Sequence, residues 1–163
     1  MQDLMAINER IAPLDQAACQ RAREKWNGVA KPVGSLGALE DAIVQIAGLT
    51  GSEDVRIDKR AVVVLYADNG VVAEGVSQSG QEVTLAVADN IARGESSVCS
   101  MARPHGIDAF AVDMGMATAS ADPRVIDRAV ARGTGNIAQG PAMTREQAIC
   151  AVRAGIDMVV HLK

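Results

Sequence analysis

The chain has 163 residues, 48% of them apolar and 22% charged, and a net charge of −4. That balance belongs to a globular protein long enough to bury a core, and it excludes a disordered polymer. The acidic sign, the spread of Lys and Arg along the chain and a mere 2% of aromatic residues leave neither a footprint for a phosphate backbone nor a platform for stacked bases.

No window approaches the ~20 apolar residues of a membrane span. The opening MQDLMAINERIAPLD lacks the basic start and apolar run of a signal peptide. A cytoplasmic protein with no nucleic-acid or membrane partner is the simplest expectation. Cys19, Cys99 and Cys150 are odd in number and have no C-x-x-C spacing, so buried, reduced thiols are expected rather than a disulfide framework.

In chain order, the first residues read as irregular until Asp15, which can cap a helix through QAACQRAREKWNG. KPVGSLG follows as a turn-rich joint, since Pro32 and Gly34 forbid a continuous helix. From Ser35 a second helix is expected, with Leu36, Leu39, Ile43 and Ile46 as its apolar stripe and Gly48 or Gly51 as its end. SEDVRIDKR then reads as a surface connection. Residues 1–55 thus form a helical segment and 56–163 a different unit.

AVVVLYAD has no polar alternation, the pattern of a parallel strand covered on both faces, and IDAFAVD (107–113) is a second such strand. Between them a helix is expected from a capping box of Ser79 and Glu82, with Val83, Val87 and Ile91 as its stripe. ESSVCSMARPHG adds a short helical turn. A third strand is expected in RVIDRAVAR. A last helix opens at the Thr144–Gln147 capping box and carries Ile149, Val152, Ile156 and Val159. The pattern is α/β, a Rossmann-like parallel sheet with flanking helices, but three strands fall short of the usual five or six or so, which implies an incomplete sheet.

Ligands of open parallel sheets bind outside the carboxyl ends of the strands. Asp68 and Asp113 stand at those ends, and Asp68, Asn69 and Gly70 open a long Gly-rich loop where backbone can approach a small molecule. The same residues are also common turn formers. In ARGTGNIAQGPAM, Arg132, Gly133 and Asn136 can offer a guanidinium and amide groups to an anion, or make a plain surface loop. Lys31, Gly34 and Ser35 could hold a phosphate or carboxylate at a helix start, or form a connecting turn. His105 and His161 have no partners at metal spacing, and neither nucleotide-binding glycine fingerprint is present.

KPVGSLGALE, AVVVLYADNGVVAEGVS, VTLAVADNIARGESSVC, AVDMGM and VARGTGNIAQGPAMTREQA, in that order, resemble the nicotinate-nucleotide:dimethylbenzimidazole phosphoribosyltransferases. The resemblance implies a Rossmann-like domain, a small helical domain to which the N-terminal helices contribute, and a homodimer. It implies transfer of phosphoribose from nicotinate mononucleotide to 5,6-dimethylbenzimidazole, giving α-ribazole 5'-phosphate and nicotinate in cobalamin nucleotide-loop assembly, with no cofactor or metal. By resemblance Ser79 lines the benzimidazole pocket. Val87 replaces a glutamine of some members, Asn69 a histidine and Gly80 a proline, departures that bear on base preference. Family members are considerably longer, and their catalytic glutamate would lie beyond Lys163, so the resemblance covers the N-terminal half. It assigns no catalytic base here, and Asp68 is the first carboxylate to test. A non-catalytic binding half, or a subunit needing a separate C-terminal partner, is the alternative.

Overall fold

The structure is a computed structural model that describes residues 2–163. The chain folds as two compact units, the first ending at Asp58 and the second spanning Lys59–Lys163.

The first unit contains α1 (Gln2–Glu9), α2 (Gln16–Asn27) and α3 (Ala38–Thr50). The segment expected to be irregular before Asp15 therefore begins with a helix. Asp15 caps α2 by accepting the Ala18 N–H at 3.0 Å. Gly51, in the left-handed conformation that terminates helices without strain, ends α3. The buried face of α3 is not the expected stripe: Glu40, Val44, Ala47 and Gly48 are buried, whereas Leu36 and Leu39 stay about half exposed. Small residues decide this, because Ala18, Ala22, Ala47 and Gly48 let α2 and α3 approach closely, and Glu40 can turn inward because Lys31 neutralises it.

The second unit is α/β. β1 (Arg60–Ala67), β2 (Ile107–Gly115) and β3 (Ile126–Asp127) form an open parallel sheet in that order, with β1 registered on β2 from Arg60–Ile107 onward. α4 (Glu82–Arg93) and α5 (Ser97–Ala102) link β1 to β2, and α6 (Arg145–Leu162) closes the chain. Tyr66, Ala88, Ile91, Cys99, Ala111, Met116 and Val125 form the core.

Three expectations change here. β1 is an edge strand, and of its residues only Tyr66 is buried, so its unbroken apolar run is not covered on both faces. The third strand shrinks to two residues: past Asp127, whose carboxylate accepts the Ala129 N–H, the chain keeps only separate bonds to the end of β2, from the Arg128, Val130 and Gly133 N–H groups to the Asp113, Met114 and Gly115 carbonyls. The Ser79–Glu82 capping box does not form. Gln81 is the N-cap of α4 and makes no side-chain cap.

The Thr144–Gln147 box does form, with both reciprocal bonds in place. In α6 Ile149 and Ile156 are partly buried, but Val152 and Val159 are exposed and Met158 is the fully buried residue. Of the free cysteines only Cys99 is buried; Cys150 is exposed. Among the described residues no helix is long and apolar enough to cross a membrane, and no group of three or more potential ligands could hold a metal ion.

Candidate functional site

The strand order puts the carboxyl ends of β1 and β2 side by side, and each carries a buried aspartate, Asp68 just past the end of β1 at 4% exposure and Asp113 within β2, two residues before its end, at 2%. Burying an acid there costs free energy unless its oxygens are hydrogen-bonded. Both are. Thr84 Oγ1 donates to Asp68 Oδ1 at 2.6 Å and the Ala117 N–H to Oδ2 at 2.7 Å. Asp113 Oδ1 accepts the N–H groups of Gly115 (2.8 Å) and Met116 (2.7 Å), while Oδ2 accepts Arg132 Nη1. The Arg132 guanidinium also reaches Asp127, and its bond to Asp113, with the charge of both acids, holds its pKa above the ordinary arginine value.

The two Gly-rich loops, far apart in sequence, lie against each other. The Gly70 N–H donates to Thr134 Oγ1 and the Thr134 N–H to the Asp68 carbonyl. Glu74, at the end of the short helical turn Gly70–Glu74, accepts from Asn136 Nδ2 and Gln139 Nε2. The contact needs a glycine at 70, since a Cβ there would sit 2.6 Å from the Thr134 carbonyl oxygen and 2.8 Å from the Asn136 nitrogen. Much of the amide supply of the later loop is spent inside the fold. Gly133 donates to Gly115, Gly135 to Ala142, and Gln139 and Gly140 to Asn136.

Two clefts flank this seam and share Ala67. A wider one of about 590 Å³ is lined by Met114, Val130, Gly133, Ala142 and Ala151, with Thr144, Arg145 and Gln147 from the start of α6. A narrower one of about 380 Å³ has Leu65, Val72, Val83 and Val87 as its aliphatic wall, with Asn69, Ser79 and Gln81 as polar groups and Asp68 beneath them. The half exposure of Val83 and Val87, expected to face the core, is the consequence: they wall a cleft while Ala88 and Ile91 turn inward.

The structure brings Asp68, Asn69, Gly70 and Ser79 together with Gly133, and links them to Asn136 through Glu74. Arg132 points its guanidinium at the chain's own Asp113 and Asp127. Lys31, Gly34 and Ser35 belong to the first unit. There the anion that Lys31 holds is the chain's own Glu40, at 2.7 Å, with the ammonium 5.5 Å from the centre of the Trp26 ring. That bond, helped by the Leu36 N–H, lowers the Glu40 pKa. The Ser35 N–H is given to the Pro32 carbonyl. Sequence pattern does not single out Thr84, Ala117, Thr134 or Glu74; Thr84 carries one faint signal, a hydroxyl on the first turn of a helix that follows a strand-end acid.

A phosphoribosyltransferase family model, DBI_PRT, matches residues 11–163. The chain belongs to that family. It is 44% identical over 149 residues to the nicotinate-nucleotide–dimethylbenzimidazole phosphoribosyltransferase of Escherichia coli (strain SMS-3-5 / SECEC), covering 91% of this chain and 42% of the relative. It is 45% identical over 148 residues to the enzyme of the same name from Yersinia enterocolitica serotype O:8 / biotype 1B, with the same coverage. Among solved structures, CobT from Thermus thermophilus superposes with a TM-score of 0.80 at 36% identity, over 89% of this chain and 44% of that one. The chain therefore spans less than half the length of the relatives it matches.

Proposed function

We propose that the strand-end region supplies the two substrate clefts for transfer of phosphoribose from nicotinate mononucleotide to 5,6-dimethylbenzimidazole, giving α-ribazole 5'-phosphate and nicotinate in cobalamin nucleotide-loop assembly. The observation that carries this reading is the pair of small-molecule-sized clefts that share Ala67 in a chain of this family. A transfer between two bound molecules needs two sites with a common boundary, so that the acceptor nitrogen can meet the anomeric carbon. The narrower cleft, with its valine wall and Ser79, suits the apolar benzimidazole. The wider one, at the amino end of α6 where the helix dipole favours anions, suits the phosphoribosyl donor.

The chemistry asks for a base to take the benzimidazole N–H proton and for a pocket that tolerates positive charge on the ribose ring. Asp68 and Asp113 already accept hydrogen bonds at both oxygens, so this region binds and orients. The same observation favours a second reading: a half that binds without chemistry, or that needs a complementary C-terminal polypeptide. By resemblance the working assembly is a cytoplasmic homodimer; sedimentation of the purified chain at twice the monomer mass supports the dimer, and a monomer at all concentrations removes it. Calorimetry with each ligand, paired with an assay for released nicotinate, decides the function. Heat with both ligands and slow or no release of nicotinate is expected of this chain. No heat with either would discard the reading, and binding with full turnover would discard the binding-only alternative.

A further inference from the structure

Asp68 is the strand-end group that the transfer chemistry leaves without a task. Four bonds radiate from it. The side chain receives the Thr84 hydroxyl from the first turn of α4 and the Ala117 N–H from the segment after β2. Its carbonyl receives the Thr134 N–H at 2.9 Å, and its own N–H donates to the Gly115 carbonyl at 3.0 Å. Thr84 sits next to Val83 and one turn from Val87, the wall of the narrower cleft, while Thr134 belongs to the wall of the wider one. One residue is thus bonded to a wall of each cleft.

We propose that Asp68 is a positioning residue that sets the spacing of the two clefts: its carboxylate draws the first turn of α4 to the strand ends, and its backbone carries the 133–135 loop on the other side. The inference rests on the two-cleft reading above. Asparagine can replace both side-chain ties, with Oδ1 accepting from Ala117 and Nδ2 donating to the threonine oxygen, whereas alanine replaces neither.

The test compares Asp68→Ala, Asp68→Asn, Thr84→Val and Thr84→Ser in the 163-residue chain, by calorimetry with 5,6-dimethylbenzimidazole and by amide hydrogen exchange without ligand. Asp68→Ala and Thr84→Val are expected to weaken binding about tenfold, and Asp68→Asn and Thr84→Ser to recover it to within about threefold, the scale of one hydrogen bond to a charged group. The Ala117 amide exchanges faster in Asp68→Ala and returns to its starting rate in Asp68→Asn. The proposal is overturned if Asp68→Asn loses as much affinity as Asp68→Ala, because the charge itself would then act on the ligand. It is equally overturned if Asp68→Ala changes neither affinity nor exchange. Absence of heat with the unaltered chain counts against the proposed function, and exchange alone then decides: faster exchange at Ala117 and through 82–87 in Asp68→Ala, restored by asparagine, upholds the tie, and unchanged exchange rejects it. Should Asp68→Ala fail to fold, Thr84→Val against Thr84→Ser makes the same comparison with the carboxylate intact.

Discussion

Glu40 in the first unit and Asp68 in the second are both nearly solvent-free, at 3% and 4% exposure, yet they are bonded over different ranges. Glu40 takes its bonds from Lys31 and Leu36, nine and four residues away, whereas Asp68 takes its bonds from Thr84 and Ala117, sixteen and forty-nine residues away. The first acid is satisfied within one helix start and the joint before it. The second is satisfied only after two strands, a helix and a loop have come together. Local satisfaction makes a rigid helical pair; long-range satisfaction makes a place where three loops meet and where a small change in one is felt by the others.

Adding one methyl group to each region should break this symmetry most visibly. At Gly70 the new Cβ meets backbone of Thr134, Gly135 and Asn136, none of which can swing away. Gly70→Ala is expected to cost about 2–3 kcal/mol in chemical denaturation and to abolish binding in both clefts. At Gly48 the new Cβ meets the Cys19 thiol, a side chain that can change rotamer, and lies 3.2 Å from Leu14 Cβ, which must give by a few tenths of an ångström, while the helix regains propensity, so Gly48→Ala should cost about 1 kcal/mol, less than Gly70→Ala. Equal losses at the two positions would remove the distinction between them.

Asp113→Ala comes next. It strips the Gly115 and Met116 amides of their acceptor and leaves Arg132 with Asp127 alone, and a loss of about 2 kcal/mol in the second unit is expected. Because Trp26 is the sole tryptophan and lies in the first unit, its fluorescence should not report that loss, while far-ultraviolet dichroism should. A matching shift in both signals would mean that the units unfold as one.

Acid sharpens the contrast further. Lys31, followed by the Leu36 amide, holds Glu40 below the ordinary value of 4.5, so its contribution is fully present above that pH and is lost as pH falls through the lowered value. The hydrogen bond from Arg124 brings Asp122 from 3.8 to about 2, so in the second unit stability falls between about pH 4 and pH 2. Glu40→Gln should flatten the acid limb of the Trp26 transition and leave the dichroism limb of the second unit unchanged. The smallest effect is expected at Tyr66, whose hydroxyl is buried with no hydrogen-bond partner among the described residues and whose pKa burial pushes up. Tyr66→Phe should leave stability within about 0.5 kcal/mol or raise it, since no bond is lost; a clear drop in melting temperature would show that the hydroxyl has a partner in solution.

The same contrast of range explains what can be read from the chain beforehand. Asp15 as a cap, the Thr144–Gln147 box, the Gly51 terminator and the two apolar strands are decided within a few residues, and sequence pattern reaches them. Asp68 and Asp113 are legible as strand-end acids because parallel sheets place ligands there. Their partners are not, for nothing near Thr84 or Ala117 announces a bond across sixteen or forty-nine residues. The buried face of α3 departs from the apolar stripe because size, not hydrophobicity, sets how closely two helices approach, and an inward Glu40 breaks the apolar pattern. Arg132 reads as an anion ligand by type, but two acids of its own fold hold it.

The central claim, that the ends of β1 and β2 open onto two adjoining small-molecule clefts, is tested most directly by methyl NMR of the chain titrated with 5,6-dimethylbenzimidazole and then nicotinate mononucleotide. The account predicts that the first ligand shifts Val72, Val83 and Val87, and that the second shifts Val130, Ala142 and Ala151. Shifts confined to Val29, Ile43 and Val55 of the first unit, or no shifts at saturating ligand, would contradict it.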